Sequence, residues 1–235
     1  MKVYLSPGHG QDDPGAIAAG LCERDLNKAI VDQVAGVLRL SGIEAIVGVA
    51  RPDSHEGIVV DCTEANNSGA DLAVQIHLNA FDDPSANGTE TWICGTGGNA
   101  EVMAQAIDSA LAALGFADRG VKVGNYTFNL VTTMSSCLVE VGFITNDSDR
   151  AKITQNMVGV SRAIAQGIAR TLGTEIVTPA PALPPPAVIV PTGGPLYIVF
   201  KNGVQFGAYR VLDNALRQVK DGLLKGVPVR VDIKR

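Results

Sequence analysis

The amino-acid sequence predicts an α/β protein: a twisted, mostly parallel sheet with helices on both faces, followed by a small C-terminal ββαβ (α+β) module. Segments with the apolar spacing of strands alternate with segments that have helical spacing through residue 173. The strand segments are short and almost continuously apolar, which is typical of strands buried on both faces of a sheet. A Pro-rich stretch over residues 174–195 then separates the predicted domain 1–173 from residues 196–235.

The first half of the chain follows this alternation closely. A strand is expected at residues 1–5, and a helix over 23–40 is predicted from apolar residues three or four positions apart, with a Ser-Gly pair to end it. The apolar segment 43–49 predicts the next strand. A helix over 57–68, again closed by Ser-Gly, leads to a strand over 71–76.

The second half continues the pattern to the end of the predicted domain. Residues 88–94 are expected to form a strand, and residues 99–114 a helix that ends at a glycine. Two further strands are expected over 126–131 and 136–142. The last helix, over about 147–172, has the clearest periodicity and begins behind an Asn that can cap it.

The C-terminal segment has the pattern of a very small module. Residues 196–200 and 204–209, joined by an Asn-Gly turn, predict a hairpin, followed by a helix over 212–224 and a strand over 227–233. A unit of this size has little core, so we expect residues 196–235 to form a homodimer or to be stabilised by their target.

Charge divides the chain in the same place. The whole chain carries a net charge of −5, but residues 196–235 contain eight Lys or Arg against three Asp. The remainder therefore has 11 basic and 21 acidic residues. This asymmetry suggests two separate tasks, with the basic module suited to a polyanion.

Cysteine usage and hydropathy exclude several classes of protein. The four cysteines are scattered without a CxxC pair, which favours reduced and mostly buried thiols over a disulfide framework. Apolar stretches stay well short of the roughly 20 residues of a membrane span. Because the sequence starts directly with a strand pattern, we expect no secretory signal peptide and synthesis in a cytoplasm.

Polar residues at the ends of apolar runs mark a candidate site. His9 follows the first strand between two glycines, His77 directly follows the strand over 71–76, and Glu140 interrupts an apolar run. Sites in open α/β sheets gather beyond the carboxyl ends of strands, so we expect these side chains at one rim. Glu23, at the start of the first helix, adds a second carboxylate, although an acidic residue there also simply favours the helix dipole.

Two imidazoles and two carboxylates can supply the ligands and the general base of a catalytic zinc site. Such a site has three protein ligands, an open position for water and a carboxylate base beside it. The third histidine, His55, lies in a polar stretch over residues 51–56 and is expected in a solvated loop. The residues alone therefore predict a hydrolase.

At these residues the chain resembles the zinc-dependent N-acetylmuramoyl-L-alanine amidases of the Amidase_3 type. The resemblance covers about residues 2–172, and the order and spacing of all its motifs agree. The motifs are Ser6–Gly10 followed by Asp13–Ala16, then Glu23, Ala65-Asn66, Ile76–Ala80, Gly88–Trp92, Arg119–Lys122 and Leu138–Asn146.

The resemblance implies a role for each site residue. His9, Glu23 and His77 would bind one Zn²⁺ ion, and Glu140 would be the catalytic carboxylate. The scissile bond would be the amide that joins N-acetylmuramic acid to L-Ala of the peptidoglycan stem peptide. Asn79 is expected to fix the turn after His77 more than to touch substrate, and Glu90 to support the site more than to line the groove.

The biological setting implied by the resemblance is a bacteriophage endolysin, made in the host cytoplasm and acting on the cell wall after release. A cellular amidase of spore or mother-cell lysis is the alternative setting. The expected partner is bacterial peptidoglycan, with anionic wall polymers as a possible ligand of residues 196–235 and neither nucleic acid nor membrane as a partner. The rival functions are a zinc peptidase that cuts within the stem peptide and a non-catalytic wall-binding protein.

Overall fold

The computed structural model describes residues 1–177 in full and the backbone of three strands within 196–201, 204–209 and 229–234. The chain divides into two units, Met1–Thr178 and Pro179–Arg235. Most of the predicted Pro-rich linker and the predicted helix over 212–224 lie outside the described residues.

The strands of the first unit are, in chain order, β1 (Lys2–Pro7), β2 (Ile17–Ala18), β3 (Leu21–Cys22), β4 (Glu44–Val47), β5 (Leu72–Asn79), β6 (Thr89–Ile93), β7 (Asp118–Val123) and β8 (Ser135–Phe143). Its helices are α1 (Glu23–Leu40), α2 (His55–Asn67), α3 (Asn99–Ala112), α4 (Thr127–Val131), α5 (Asp147–Gln155) and α6 (Met157–Thr171).

The main sheet is mixed but mostly parallel. Within residues 1–177 its six strands lie in the order β4-β1-β5-β8-β6-β7. Each neighbouring pair is parallel except β6 and β8, which run antiparallel. The carboxyl ends of β1, β5 and β8 therefore meet the start of β6 at one edge, and the predicted α/β class is confirmed.

Alternate residues of the strands face two separate cores, as the pleat of a strand requires. Val3 and Leu5 belong to the larger core, beneath α1, α3 and α6, whereas Tyr4 between them belongs to a smaller core with Phe128 of α4. On the larger side, α1 buries Ile30 and other aliphatic residues completely. Burial of each such side chain contributes about 1.5–3 kcal/mol, so helices on both faces stabilise the sheet that carries the site.

The predicted strand over 126–131 is wrong. Thr127–Val131 forms the short helix α4, and the sheet position beside β6 is filled instead by Asp118–Val123. The apolar spacing around Phe128 suits a strand, but Phe128 packs in the smaller core and Asn129 donates a hydrogen bond to the Trp92 carbonyl at 2.8 Å. Tertiary contacts thus override the local pattern.

The last predicted helix is two helices, and His55 lies in a different element from the one expected. Asn156 has non-helical dihedral angles, and its side chain accepts a hydrogen bond from the Gly159 amide, so it caps α6 while ending α5. Asn146 caps α5 as predicted. His55 is exposed, but it is the first residue of α2 and not part of a loop.

Other sequence predictions concern the thiols and the bilayer. The four cysteines are free, as expected, but only Cys62 and Cys137 are buried, whereas Cys94 is exposed. Within the described residues, no helix combines the length and the apolar character needed to cross a bilayer.

The second unit contains a three-stranded antiparallel sheet in its described part. Its strands are β9 (Leu196–Lys201), β10 (Val204–Tyr209) and β11 (Val229–Lys234), in the order β10-β9-β11. The pairing of β9 with β10 confirms the predicted hairpin, and β11 confirms the predicted last strand within two residues.

Candidate metal centre and active site

His9, Glu23 and His77 converge at the carboxyl edge of the sheet. His9 follows β1, His77 lies near the end of β5, and Glu23 is the first residue of α1. One potential ligand atom from each residue lies within 4.8 Å of the others. Nε2 of His9 and Nδ1 of His77 are each 3.2 Å from an oxygen of the Glu23 carboxylate. These residues form a possible metal-binding triad.

The Glu23 carboxylate is held in place by the backbone around it. The Leu78 amide donates to Oε1 at 2.9 Å, and the Ala16 amide donates to Oε2 at 3.0 Å. The buried Asn27, one helical turn further along α1, donates to Oε1 at 3.3 Å and to the Gly8 carbonyl at 3.1 Å. The carboxylate therefore has a fixed position between the two imidazoles.

Two glycines make room for the imidazole rings. A Cβ on Gly8 would overlap the His77 ring, reaching within 2.6 Å of its Cδ2. A Cβ on Gly15 would lie 2.6 Å from Cδ2 of His9 and 2.7 Å from Oε2 of Glu23, and Gly15 also has a φ of +64°. The backbone can approach the triad this closely only because these positions carry no side chain.

Glu140 lies beside the triad on the neighbouring strand. Its Cα is the register partner of His77 between β8 and β5. Among residues 1–177, neither Oε2 of Glu140 nor Nε2 of His77 has a hydrogen-bond partner, although both atoms are buried. Both residues line a cavity of about 80 Å³ that also includes Tyr126 and Leu138. Buried polar atoms without partners are costly, so Oε2 of Glu140 is positioned for a ligand or substrate, whereas His77 faces Glu23 through Nδ1.

The electrostatics of Glu140 suit proton transfer near neutral pH. Burial raises the pKa of its carboxyl to about 7, the charges of Glu23 and Glu90 act in the same direction, and His77 opposes them. A general base is most effective when its pKa lies near the working pH.

In the metal-free protein, hydrogen bonds and charges shift the pKa of each member of the triad. Burial lowers the pKa of His9, but the hydrogen bonds and charges of Glu23 and Asp13 outweigh it and raise the pKa to about 9. The pKa of His77 is also raised, because Glu23 and Glu140 outweigh its burial. Burial alone would raise the pKa of Glu23, yet the two imidazoles hold it well below its usual range.

Glu90 and Asn79 lie at the same edge, next to Glu140. Glu90 is the register partner of Glu140 across the antiparallel β6–β8 pair. Its carboxylate accepts hydrogen bonds from Asn79 at 3.0 Å and from Nε of Arg119 at 2.7 Å. Asn79 also accepts a hydrogen bond from the Ala80 amide at 2.9 Å. Both side chains therefore make well-defined contacts within the protein.

Sequence reasoning assigned no role to Asp13, Asn27 or Arg119, which all contact predicted site residues. Asp13 lies 2.8 Å from Nδ1 of His9. The signal for Asn27 was its polar side chain on the otherwise apolar face of α1, four positions after Glu23. Asp13 and Arg119 both lie in motifs of the family resemblance, but nothing in the local sequence of Arg119 indicates a contact with Glu90.

The donor set fits a metal of the zinc type. Two imidazole nitrogens and one carboxylate, with a further carboxylate nearby, match the ligands of catalytic zinc sites that keep one position open. The three side chains reach one point from separate elements, and the glycines at 8 and 15 leave the space that they need.

Comparison with known proteins identifies the family of the chain. The family model for N-acetylmuramoyl-L-alanine amidase (Amidase_3) matches residues 3–170. The N-acetylmuramoyl-L-alanine amidase LytC of Bacillus subtilis is 38% identical over 156 residues, which are 65% of this chain and 31% of LytC. The endolysin of Bacillus phage SPP1 is 32% identical over 180 residues, which are 72% of this chain and 65% of that protein.

A solved structure gives the same result for the fold. The catalytic domain of CwlV, an N-acetylmuramoyl-L-alanine amidase from Bacillus (Paenibacillus) polymyxa var. colistinus, matches with a TM-score of 0.67 at 27% identity. The match covers 74% of this chain and 99% of that domain. The matched region spans less than a third of the length of LytC. The resemblance predicted from the motifs is confirmed: the chain belongs to the Amidase_3 family of N-acetylmuramoyl-L-alanine amidases.

Proposed function

We propose that the first unit hydrolyses the amide bond between N-acetylmuramic acid and L-Ala of the peptidoglycan stem peptide, with one Zn²⁺ held by His9, Glu23 and His77. The observation that carries this proposal is the position of Glu140 beside the triad, with a buried Oε2 that has no hydrogen-bond partner among residues 1–177. Release of L-Ala amino termini from purified peptidoglycan, dependent on metal, tests the proposal.

In the proposed mechanism Glu140 moves the proton. When bound, the zinc ion supplies Lewis acidity and makes water acidic enough to act as a nucleophile at neutral pH. Glu140 accepts a proton from the attacking water as its oxygen bonds to the carbonyl carbon. As the C–N bond breaks, Glu140 delivers the proton to the departing nitrogen of L-Ala. One carboxyl can perform both transfers, because it is a base before the attack and an acid once it has taken up the proton.

The remaining site residues act by holding others in place. Asn79 and Glu90 hydrogen-bond to each other, and Arg119 neutralises the Glu90 carboxylate across a 2.7 Å contact. We propose that this group stabilises the start of β6 and the end of β5 on either side of Glu140. The support expected of Glu90 and Asn79 is compatible with these contacts.

Zinc affinity is expected to rise with pH between about pH 6 and 8. His9, with a pKa near 9, is protonated at pH 7 in the metal-free protein, and the pKa of His77 is raised as well. Because zinc binds the unprotonated imidazoles, binding should release between one and two protons at pH 7, and affinity should rise about tenfold per pH unit for each proton released.

Calorimetry in two buffers of different ionisation enthalpy counts these protons directly. A pH-independent affinity with no proton release would show that the triad is not the zinc site.

The raised pKa of His9 also makes the stability of the metal-free protein depend on pH. The stabilisation that protonated His9 provides is complete below its unfolded pKa, about 6.5, and is lost as the pH rises through about 9.

We propose that the C-terminal unit directs the enzyme to the wall and that the protein acts in host-cell lysis. The basic charge of residues 196–235 suits anionic wall polymers, and the phage SPP1 endolysin is among the similar proteins. Deletion of residues 196–235 should reduce sedimentation with cell walls and slow clearing of a wall suspension, while hydrolysis of soluble muropeptides stays unchanged. Undiminished sedimentation, or a dimer that dissociates on deletion, would assign the unit to self-association.

A further inference from the structure

We propose that Asp13 is a positioning residue, which fixes the tautomer and orientation of His9 for metal binding. This inference rests on the proposed zinc site. Nδ1 of His9 lies 2.8 Å from Oδ2 of Asp13, while Nε2 of the same ring lies 3.2 Å from Glu23. A carboxylate accepts hydrogen bonds only, so Nδ1 carries a proton in both the charged and the neutral ring. When the ring gives up its second proton to bind a metal, that proton leaves Nε2, and the lone pair of Nε2 faces the triad.

Asp13 can impose this geometry because its own carboxylate is anchored. Oδ1 accepts a hydrogen bond from the Gly15 amide at 3.0 Å, and Oδ2 also accepts one from the Asp53 amide at 2.8 Å. The Asp13 amide in turn donates to the Gly10 carbonyl at 3.0 Å. Two of these contacts hold the carboxylate and the third holds the Asp13 backbone, so the position of the carboxylate relative to the His9 ring is defined.

The backbone that carries His9 needs such a restraint. His9 has a φ of 61° and Gln11 a φ of 53°, both in the left-handed region that non-glycine residues rarely adopt. The loop from His9 to Asp13 is closed by the bridge between Gly10 and Asp13. The hydrogen bond to Asp13 therefore ties the ring to the residue that closes its own strained loop.

Among residues 1–177, the second imidazole has no equivalent partner. Nε2 of His77 is buried and makes no hydrogen bond within residues 1–177, while Nδ1 faces Glu23. Of the two histidines of the triad, His9 alone has a carboxylate from the described part of the chain on the ring nitrogen that faces away from Glu23. Carboxylates of this kind orient metal-binding histidines and raise their basicity, and their loss typically lowers metal affinity roughly 10- to 100-fold.

The test compares Asp13→Asn with Asp12→Asn in the full chain. Both changes remove one negative charge in the same loop, but Asp12 is exposed, whereas only Asp13 contacts His9. Zinc affinity is measured by chelator competition, and the visible spectrum of the Co²⁺-substituted protein reports ligand geometry. We expect Asp13→Asn to lower zinc affinity roughly 10- to 100-fold and to alter the Co²⁺ spectrum, with Asp12→Asn within about twofold of the original chain.

Equal affinities of the original chain and Asp13→Asn would overturn the inference, as would equal losses in both variants. A chain that binds no zinc before mutation would instead contradict the metal site itself. If Asp13→Asn does not fold, ¹⁵N NMR of the unmodified zinc-loaded protein decides the question. A proton on Nδ1 of His9 is expected, and an unprotonated Nδ1 would overturn the inference.

Discussion

Replacement of Glu140 with Gln is expected to lower kcat on soluble muropeptides by roughly 10²- to 10⁴-fold, the usual contribution of a general acid–base residue. Gln has nearly the same shape and can occupy the same position beside His77, but its amide cannot accept and return a proton. The zinc content per chain should therefore stay at that of the original protein. Steady-state kinetics and metal analysis on the same preparation measure both effects.

Glu56→Gln makes the same chemical change at an exposed position of α2 and provides the matched control. Its activity should stay within about twofold of the original chain, since surface substitutions away from a site have small effects. An active Glu140→Gln enzyme would remove the proton-transfer role from Glu140. A variant that loses zinc along with activity would assign Glu140 to metal binding.

Replacement of His77 with Ala is expected to abolish stoichiometric zinc binding and, with it, hydrolysis. The variant removes one of three ligand groups that lie within 4.8 Å of one another, and the remaining two cannot reproduce the donor set of a catalytic site. After dialysis against a buffer that contains a trace of zinc, the molar ratio of zinc to protein should fall well below one. Thermal melting with and without added zinc gives a second readout, because zinc stabilises only a fold that binds it.

His55→Ala is the natural control, since the sequence has three histidines and His55 is exposed on α2. It should bind one zinc ion and keep its activity. A fully loaded His77→Ala protein would exclude His77 from the ligand set, and loss of zinc from His55→Ala would show that the metal lies elsewhere.

Much of the fold could be predicted because the elements of the sheet are determined by local signals. Helix α1 was predicted with both of its ends, since Glu23 opens it and a Ser-Gly pair closes it. The errors came where local and tertiary signals disagree. The apolar spacing runs unbroken past Asn156, so one helix was predicted, yet the Asn156 side chain caps a second helix. The strand β7 was missed because it begins with the polar Asp118 and contains Gly120, which has a φ of 76°.

Site residues at the ends of strands could be predicted from the sequence, whereas the residues that contact them from a loop or a helix could not. The sequence indicated His9, His77 and Glu140 because each follows or interrupts an apolar strand. Burying a polar side chain there costs free energy unless it has a partner, so such a residue indicates a site. The contacts of Asp13 depend on the path of a loop and those of Asn27 on the orientation of a helix face, and no spacing rule encodes either. That Oε2 of Glu140 lacks a hydrogen-bond partner among residues 1–177 is likewise a property of the packed structure and not of the sequence.

The central claim is tested most directly by product analysis on purified peptidoglycan, with untreated enzyme, with chelator, and with zinc restored after chelation. We expect new L-Ala amino termini that disappear with chelator and return with zinc, without new reducing sugars. New amino termini other than L-Ala would indicate a peptidase that cuts within the stem peptide. The absence of products from several types of wall, with zinc present, would contradict the proposed enzyme and favour a wall-binding protein.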